Sequence, residues 1–201
     1  RNQKVMLDSD LAELYGVDLT ERAISHTKNR LRLLNLNSTL QCADAENLPF
    51  DDNYFDVVYS WGVLHHSPDT EKAINEVYRV LKDDGIAKIM IYHKYSFVGY
   101  MLWFRYSLLT LRFHSLNYIY CHYLESSGTK AYTIDEANQL FSNFSDVTVD
   151  TVLTHGDLLD SDAGQRHKGL MYDIAKKIWP RLIIKKLFSK NGLFMLIKAR
   201  K

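Results

Sequence analysis

The chain has 201 residues, of which 46% are hydrophobic and 24% charged, and its formal net charge is +1. This length suits one α/β domain with a sizeable buried core, and the near-neutral charge gives no global attraction to nucleic acid or to a membrane. The two cysteines, Cys42 and Cys121, are too few for a disulfide framework, so we expect a reducing, cytoplasmic location. No spacing of Cys and His is typical of a metal site, and no metal is predicted.

The first elements alternate between strand and helix patterns. Residues 13–18 predict a strand, and Thr20 is predicted to cap the helix that follows, whose apolar residues recur at helical spacing. Residues 39–42 predict a short strand, and residues 44–54 a polar loop. The order strand, helix, strand, loop is that of a parallel α/β unit.

The same alternation continues to the middle of the chain. Residues 55–59 predict an apolar strand, after which Ser67 is predicted to cap a helix that opens with Pro68. That helix is predicted to end near residues 83–85, and residues 86–92 read as a strand covered on both faces. We therefore predict a doubly wound, mostly parallel sheet.

Beyond residue 95 the pattern changes. Residues 97–111 are dense in aromatics and leucines but too short to span a bilayer, and residues 133–141 predict a helix. Residues 147–153 predict a strand, residues 173–188 a helix interrupted by its proline, and residues 193–199 a last strand.

Several blocks in the first half of the chain occur in the order and spacing of a known protein family. The blocks are Tyr15-Gly16-Val17-Asp18-Leu19-Thr20, Ala43-Asp44-Ala45-Glu46-Asn47-Leu48-Pro49-Phe50, Phe55-Asp56 through Leu64-His65-His66, and Glu76-Val77-Tyr78-Arg79-Val80-Leu81 before Asp84-Gly85. In these blocks the chain resembles the class I S-adenosylmethionine-dependent methyltransferases, in their small-molecule branch. The resemblance implies a Rossmann-like fold, S-adenosylmethionine as cofactor, and methyl transfer to an O, N or C atom of a small acceptor.

The resemblance also implies a domain plan. We predict one methyltransferase-like domain over residues 1–201, with a cofactor-binding core at residues 11–95. Helical insertions at residues 96–132 and 156–191 would shape the acceptor pocket.

Two acids carry the implied cofactor contacts. Asp18, with Leu19 beside it, ends a strand and would accept hydrogen bonds from both ribose hydroxyls. Because an NAD-dependent dehydrogenase uses such an acid for the same contact, Asp18 does not discriminate between S-adenosylmethionine and NAD. Asp44 does discriminate between them and indicates S-adenosylmethionine. In this family the acid of that loop accepts a hydrogen bond from the adenine amine, and the next backbone amide, here that of Ala45, faces a ring nitrogen of the adenine.

A third cofactor contact is implied at the end of the strand at residues 55–59. The family uses the backbone of Ser60, Trp61 and Gly62 beside the sugar and methionine portions of the cofactor, and a glycine permits close approach. Trp61 stacks on a ligand or fills the core, and the sequence favours neither.

Histidines are the candidates for acceptor chemistry. His66, His93 and His155 all fall at or just after predicted carboxyl ends of strands, on the ligand side of the sheet. A base is needed when the acceptor is a hydroxyl or a protonated amine, and imidazole suits neutral pH. We predict His93 and His155 as bases or orienting groups and His66 as a residue that orients its loop. A hydrogen-bonded structural role is the alternative for each.

Two further patterns have open interpretations. The aromatic residues between 92 and 106 line a substrate pocket or pack a helix. Residues 176–190 are cationic, and they predict a weak contact with a membrane surface or an acidic partner, or else a solvated basic face over a buried apolar stripe.

One element of the family is not visible. The family opens with a strand and a turn of the type Gly-x-Gly-x-Gly, whereas the first glycine here is Gly16. We expect that this segment is missing from the sequence, which would leave the strands at residues 13–18 and 55–59 unpaired in the middle of the sheet. The alternatives are a degenerate, non-catalytic interaction module and an NAD-dependent oxidoreductase.

Overall fold

A computed structural model describes residues 4–8, 13–160 and 170–201 of the chain. The chain divides into two compact units. The first unit comprises residues 1–91, 134–149 and 196–201, and the second comprises residues 92–133 and 150–195. The predicted boundaries at residues 96–132 and 156–191 are not tested by this division and stay predictions.

One sheet of seven strands organises the fold, in the order β3-β2-β1-β4-β5-β7-β6. The strands are β1 (Lys4–Asp8), β2 (Glu13–Asp18), β3 (Thr39–Cys42), β4 (Phe55–Trp61), β5 (Leu81–Tyr92), β6 (Asp146–Val152) and β7 (Phe194–Arg200). The mixed α/β architecture confirms the predicted Rossmann-like fold class.

Strand directions place several strand ends at one edge of the sheet. β2 is parallel to β3, and β4 is parallel to β5. Because β1 is antiparallel to both β2 and β4, those two strands run in the same direction. The carboxyl ends of β2, β3, β4 and β5 therefore share one edge, where ligands bind in open α/β sheets.

The expectation of an unpaired gap in the middle of the sheet is wrong. Val5 of β1 pairs with Gly16 on one side and with Tyr59 on the other, so β1 fills the gap. The strand runs opposite to its neighbours because only four residues separate Asp8 from Glu13, and so short a link permits a hairpin but not a parallel crossover. As a result, Lys4 at the amino end of β1 lies beside Val17, at the edge where the other strands end.

The helices of the first unit are α1 (Glu21–Leu33), α2 (Thr70–Val80) and α5 (Ile134–Leu140). Thr20 caps α1 as predicted, accepting a hydrogen bond from the Ala23 amide at 3.3 Å. The predicted cap of α2 is wrong: Asp69 accepts from the Lys72 amide at 3.0 Å, whereas the Ser67 amide closes a 3₁₀ turn over Leu64–His66. Asp and Ser are comparable caps, but the carboxylate also interacts favourably with the positive helix end, which favours Asp69.

The second unit holds the remaining helices. They are α3 (Phe97–Trp103), α4 (Leu116–Ile119), α6 (His155–Leu158), α7 (Leu170–Ile178) and α8 (Arg181–Leu187); π-helical turns at Phe104–Leu108 and Tyr120–Leu124 extend α3 and α4. Pro180 separates α7 from α8 as predicted, because proline cannot donate the helical hydrogen bond.

Two buried polar side chains hold this second unit together. Tyr120 is fully buried, and its hydroxyl group lies 2.8 Å from Ser96 Oγ and donates to the His93 carbonyl at 3.0 Å. Asp157 is also fully buried and accepts from the amides of Val98 and Leu193. No helix in the described ranges has both the length and the apolarity to cross a membrane.

Candidate functional site

The ends of β2 and β3 bring two of the predicted site residues side by side. Asp18 pairs with Cys42 in the parallel ladder, and the Ala43 amide donates to the Asp18 carbonyl oxygen at 3.0 Å. Asp44 follows directly, so both acids leave the sheet at the same place. The two acids come together because parallel strands end at a common edge.

Each acid uses one carboxylate oxygen to shape its own turn. Asp18 Oδ1 accepts from the amide and the hydroxyl group of Thr20, both at 2.9 Å, and Asp44 Oδ1 accepts from the Glu46 amide at 3.0 Å. Within the described ranges, the Oδ2 atoms of both acids accept no hydrogen bond. The edge thus offers two acceptors on fixed turns, which suits a ligand with hydroxyl and amine donors. Leu19 next to Asp18 is 65% exposed.

The loop that carries Asp44 is anchored to α2. Ala45 is buried, and Glu46 Oε1 accepts from the Asp69 amide at 2.8 Å. Glu76 Oε2 accepts from the Leu48 amide at 2.8 Å. The position of the acid is therefore set by helix residues that follow it by 25 or more positions in the sequence.

A salt bridge on α2 completes this anchor. Arg79 holds Glu76 through Nε–Oε1 and Nη2–Oε2 contacts of 2.8 Å each and donates to the carbonyl oxygens of Leu48 and Phe50. Asp52 accepts from Arg79 Nη1 at 2.7 Å. The hydrogen bond from Arg79 lowers the pKa of Glu76, and the acids raise the pKa of Arg79. Both groups are therefore charged at neutral pH.

The end of β4 supplies the third group of predicted residues. Ser60 is 2% exposed, and its Oγ has no hydrogen-bond partner among the described residues. Trp61 is 39% exposed and stacks on Tyr59, with ring centroids 6.1 Å apart. Gly62 donates its amide to the Met90 carbonyl at 3.0 Å and has a φ of 68°, a left-handed value that favours glycine. A buried hydroxyl group at a strand end that has no partner among the described residues fits a group available to a ligand.

The paired histidines follow in the 3₁₀ turn. The His65 side chain is fully buried, His66 is half-buried, and their ring centroids are 4.2 Å apart. The role of His66 as a residue that orients the loop after β4 stays a prediction.

The two other predicted histidines belong to the second unit and differ from each other. His93 is buried, and its Nδ1 lies 3.2 Å from the Gly192 carbonyl oxygen. Burial lowers the pKa of His93, so its imidazole is neutral at pH 7, with Nδ1 as the donor and Nε2 as the basic atom. This is the protonation state of a general base.

His155 begins α6 and its ring is 81% exposed. Its Nδ1 lies 2.6 Å from Asp160 Oδ1, and this contact lowers the pKa of Asp160. His93 and His155 thus bind different partners, Gly192 and Asp160. The catalytic roles of both stay predictions.

A small cavity lies in the first unit along β2, and its lining includes Asp18 at the end of that strand. It has a volume of about 70 Å³ and lies between β2, α1 and β3, with walls that include Tyr15, Ile24, Thr27 and Leu40. Ligand pockets for molecules of nucleoside size are several times larger. This cavity is therefore too small to hold the predicted cofactor.

Sequence reasoning missed the anchoring role of Glu46, Glu76 and Arg79. The pair Glu76 and Arg79 stands in one of the blocks that carry the family resemblance, and its i, i+3 spacing signals a helical ion pair. The spacing does not indicate that the pair also binds the backbone of Leu48, because that contact joins residues distant in sequence.

Residues 2–89 match a family described as "Methyltransferase domain". A demethylmenaquinone methyltransferase of Lactobacillus johnsonii is 34% identical over 77 residues, which are 37% of this chain and 32% of that protein. A phthiotriol/phenolphthiotriol dimycocerosates methyltransferase of Mycobacterium tuberculosis is 42% identical over 74 residues, 37% of this chain and 27% of that protein. The matches thus span about a third or less of these relatives.

Solved structures match over nearly the whole chain. A SAM-dependent methyltransferase from Thermotoga maritima has a TM-score of 0.57 at 21% identity, covering 92% of this chain and 72% of that one. The YcgJ protein of Bacillus subtilis has a TM-score of 0.52 at 17% identity, covering 93% and 81%. At these identities the likeness is one of fold.

Proposed function

From the match of residues 2–89 to the methyltransferase-domain family, we propose that this chain is a class I S-adenosylmethionine-dependent methyltransferase, which binds S-adenosylmethionine and transfers its methyl group to a small-molecule acceptor. The cofactor would supply an electrophilic methyl group on a sulfonium. The chain's own residues would bind the nucleoside, orient the acceptor and exclude water.

The convergence of Asp18 and Asp44 is the observation that carries this proposal. The Oδ2 atoms of the two acids, which accept no hydrogen bond from the described residues, give acceptors for the ribose hydroxyls and the adenine amine. The Ala43–Asp18 hydrogen bond keeps the two turns adjacent. The buried Ser60 hydroxyl group and the left-handed Gly62 supply a donor and a close backbone approach for the rest of the cofactor.

The acceptor class is supported less directly. The formal charge of +1 gives no attraction to nucleic acid, and the acceptors in the names of the two relatives described above are not macromolecules. His93, neutral at pH 7, has a basic Nε2 that would accept a proton from a hydroxyl or ammonium acceptor. His155 and His66 are proposed as orienting groups.

Calorimetric titration of the 201-residue chain tests the cofactor assignment. We expect saturable binding of S-adenosylmethionine and S-adenosylhomocysteine and none of NAD at the same concentrations. Binding of NAD in preference to both would overturn the proposal in favour of the oxidoreductase alternative.

A specific observation favours a second candidate, a non-catalytic interaction module. The edge position that the family fills with its glycine-rich turn is taken here by the amino end of β1, at Lys4. For such a module, the same titration would give no heat with any of the three ligands.

A further inference from the structure

The helices α7 and α8 carry apolar side chains that the fold does not bury. Ile178 is 76% exposed, Leu182 84% and Leu187 69%. Ile174, Ile183 and Phe188 are also exposed, while Ile184 of the same segment is buried. One of the two interpretations of this segment was a solvated basic face over a buried apolar stripe, and for most of these side chains that interpretation is wrong.

The exposed apolar side chains stand among cations. Residues 174–190 contain no Asp or Glu, and their basic residues are Lys176, Lys177, Arg181, Lys185, Lys186 and Lys190. Arg181 is used internally, since its Nη2 donates to the carbonyl oxygens of Leu159 and Lys176. Lys177, Lys185, Lys186 and Lys190 are exposed. We call residues 174–190 the α7–α8 surface.

Helix geometry mixes the two kinds of side chain on one face. Leu182 and Lys186 are four residues apart and lie on the side of α8 opposite the buried Ile184. Trp179 faces inward, since its Nε1 donates to the Asp157 carbonyl at 2.9 Å and its ring packs on Phe97. The segment is thus anchored to the second unit by one side and displays leucine, isoleucine and lysine on the other.

We infer that the α7–α8 surface docks this chain on an anionic membrane surface. A helix with exposed aliphatic side chains beside lysines inserts the former at the level of the lipid headgroups, while the lysine stems extend to the phosphates. An acidic protein would match the lysines but gives no reason for exposed Leu182 and Ile178. The binding is expected to be weak and reversible, because the helices are short. The inference does not depend on the methyltransferase activity.

Sedimentation of the full chain with lipid vesicles tests this inference. We expect the chain to sediment with phosphatidylcholine vesicles that contain about one-third phosphatidylglycerol and to stay in solution with pure phosphatidylcholine. Added salt should release it, since the attraction between surface charges is screened.

Paired variants identify the surface. The double variant Lys185→Gln/Lys186→Gln should lower partitioning onto anionic vesicles about 10- to 30-fold, and Ile178→Ser/Leu182→Ser should lower it about tenfold. The matched controls are Lys28→Gln/Lys72→Gln and Leu33→Ser, at exposed positions of α1 and α2, which should partition like the parent. Circular dichroism confirms that each variant is folded.

Three outcomes would overturn the inference. The first is no sedimentation with anionic vesicles. The second is sedimentation that the α7–α8 variants and the controls reduce equally. The third is binding to soluble polyglutamate without binding to vesicles, which would assign the surface to an acidic protein partner.

Discussion

Arg79 and Glu76 form a two-point ion pair on one turn of α2, and both side chains also bind the backbone of Leu48. The pair therefore joins a helix to the loop that carries Asp44. Neither Arg79 nor Glu76 is predicted to contact the cofactor, but together they fix the position of the loop that carries the predicted cofactor contact, Asp44.

Replacing Arg79 should weaken both folding and cofactor binding. Arg79→Leu leaves Glu76 and two carbonyl oxygens without their donor, and we expect a loss of about 2 kcal/mol in the free energy of unfolding. Urea unfolding measures that loss, and calorimetry should show weaker S-adenosylmethionine binding because the Asp44 loop is released. Arg22→Leu, at an exposed position of α1, should change neither quantity.

A purely structural role for Arg79 would give a different result. Val77→Ala creates a cavity on the buried face of α2 and should cost a comparable free energy of unfolding without touching the loop. If Arg79→Leu and Val77→Ala change cofactor affinity equally, the positioning role is wrong.

The same ion pair predicts an acid-dependent part of stability. The pKa of Glu76 is lowered from its ordinary 4.5 in the folded state, so its ionised form stabilises the fold at pH values above 4.5. That contribution is lost as the pH falls through the lowered folded-state pKa. Glu76→Gln should therefore be less stable than the parent at pH 7, and the difference should shrink below pH 4.5; a difference that is constant with pH would contradict the assignment.

Amide substitutions separate the two uses of the edge carboxylates. Asp18→Asn keeps an oxygen for the Thr20 turn and puts an NH₂ group in place of Oδ2, which can no longer accept from ribose hydroxyls. Asp44→Asn does the same against the adenine amine. Each should weaken S-adenosylmethionine binding by about 1–3 kcal/mol with little change in melting temperature. Unchanged affinity in both variants would refute the proposed cofactor contacts.

His93 is predicted to act as a base in its neutral form. His93→Gln keeps a polar side chain but removes the basic nitrogen, so turnover should fall about 10²- to 10⁴-fold with little change in cofactor affinity. Because burial lowers the pKa of His93 below its ordinary 6.5, parental activity should persist at pH 6.5 and decline at lower pH.

Two comparisons define that role more closely. His155→Gln tests the histidine proposed to orient the acceptor, and His26→Gln, at an exposed position of α1, serves as the control that should leave turnover unchanged. Full turnover in His93→Gln would show that its imidazole is structural, held for its contact with Gly192.

Strand β1 gives a prediction about folding. Met6→Pro removes a backbone donor from a strand paired on both sides and should lower the free energy of unfolding substantially. Thr39→Pro, at the first residue of the edge strand β3, should cost less. Equal losses, measured by urea unfolding, would indicate that residues 4–8 do not pair in the middle of the sheet.

Local patterns determined much of this protein. The strands ending at Asp18 and Cys42, the Thr20 cap and the break at Pro180 follow from periodicity, capping and proline chemistry, which act between residues close in sequence. The convergence of Asp18 and Asp44 was also predictable, because parallel strands end together.

The tertiary structure alone decided the rest. That β1 lies between β2 and β4, that Glu76 and Arg79 hold Leu48, and that Leu182 stays exposed depend on contacts between residues distant in sequence. Periodicity marks an apolar side chain but does not state what covers it, and a charge pattern marks an ion pair but not the backbone that it also binds. Which side chains are covered, and which backbone groups an ion pair binds, depends on which surfaces of the sheet and the helices pack against each other in the folded chain.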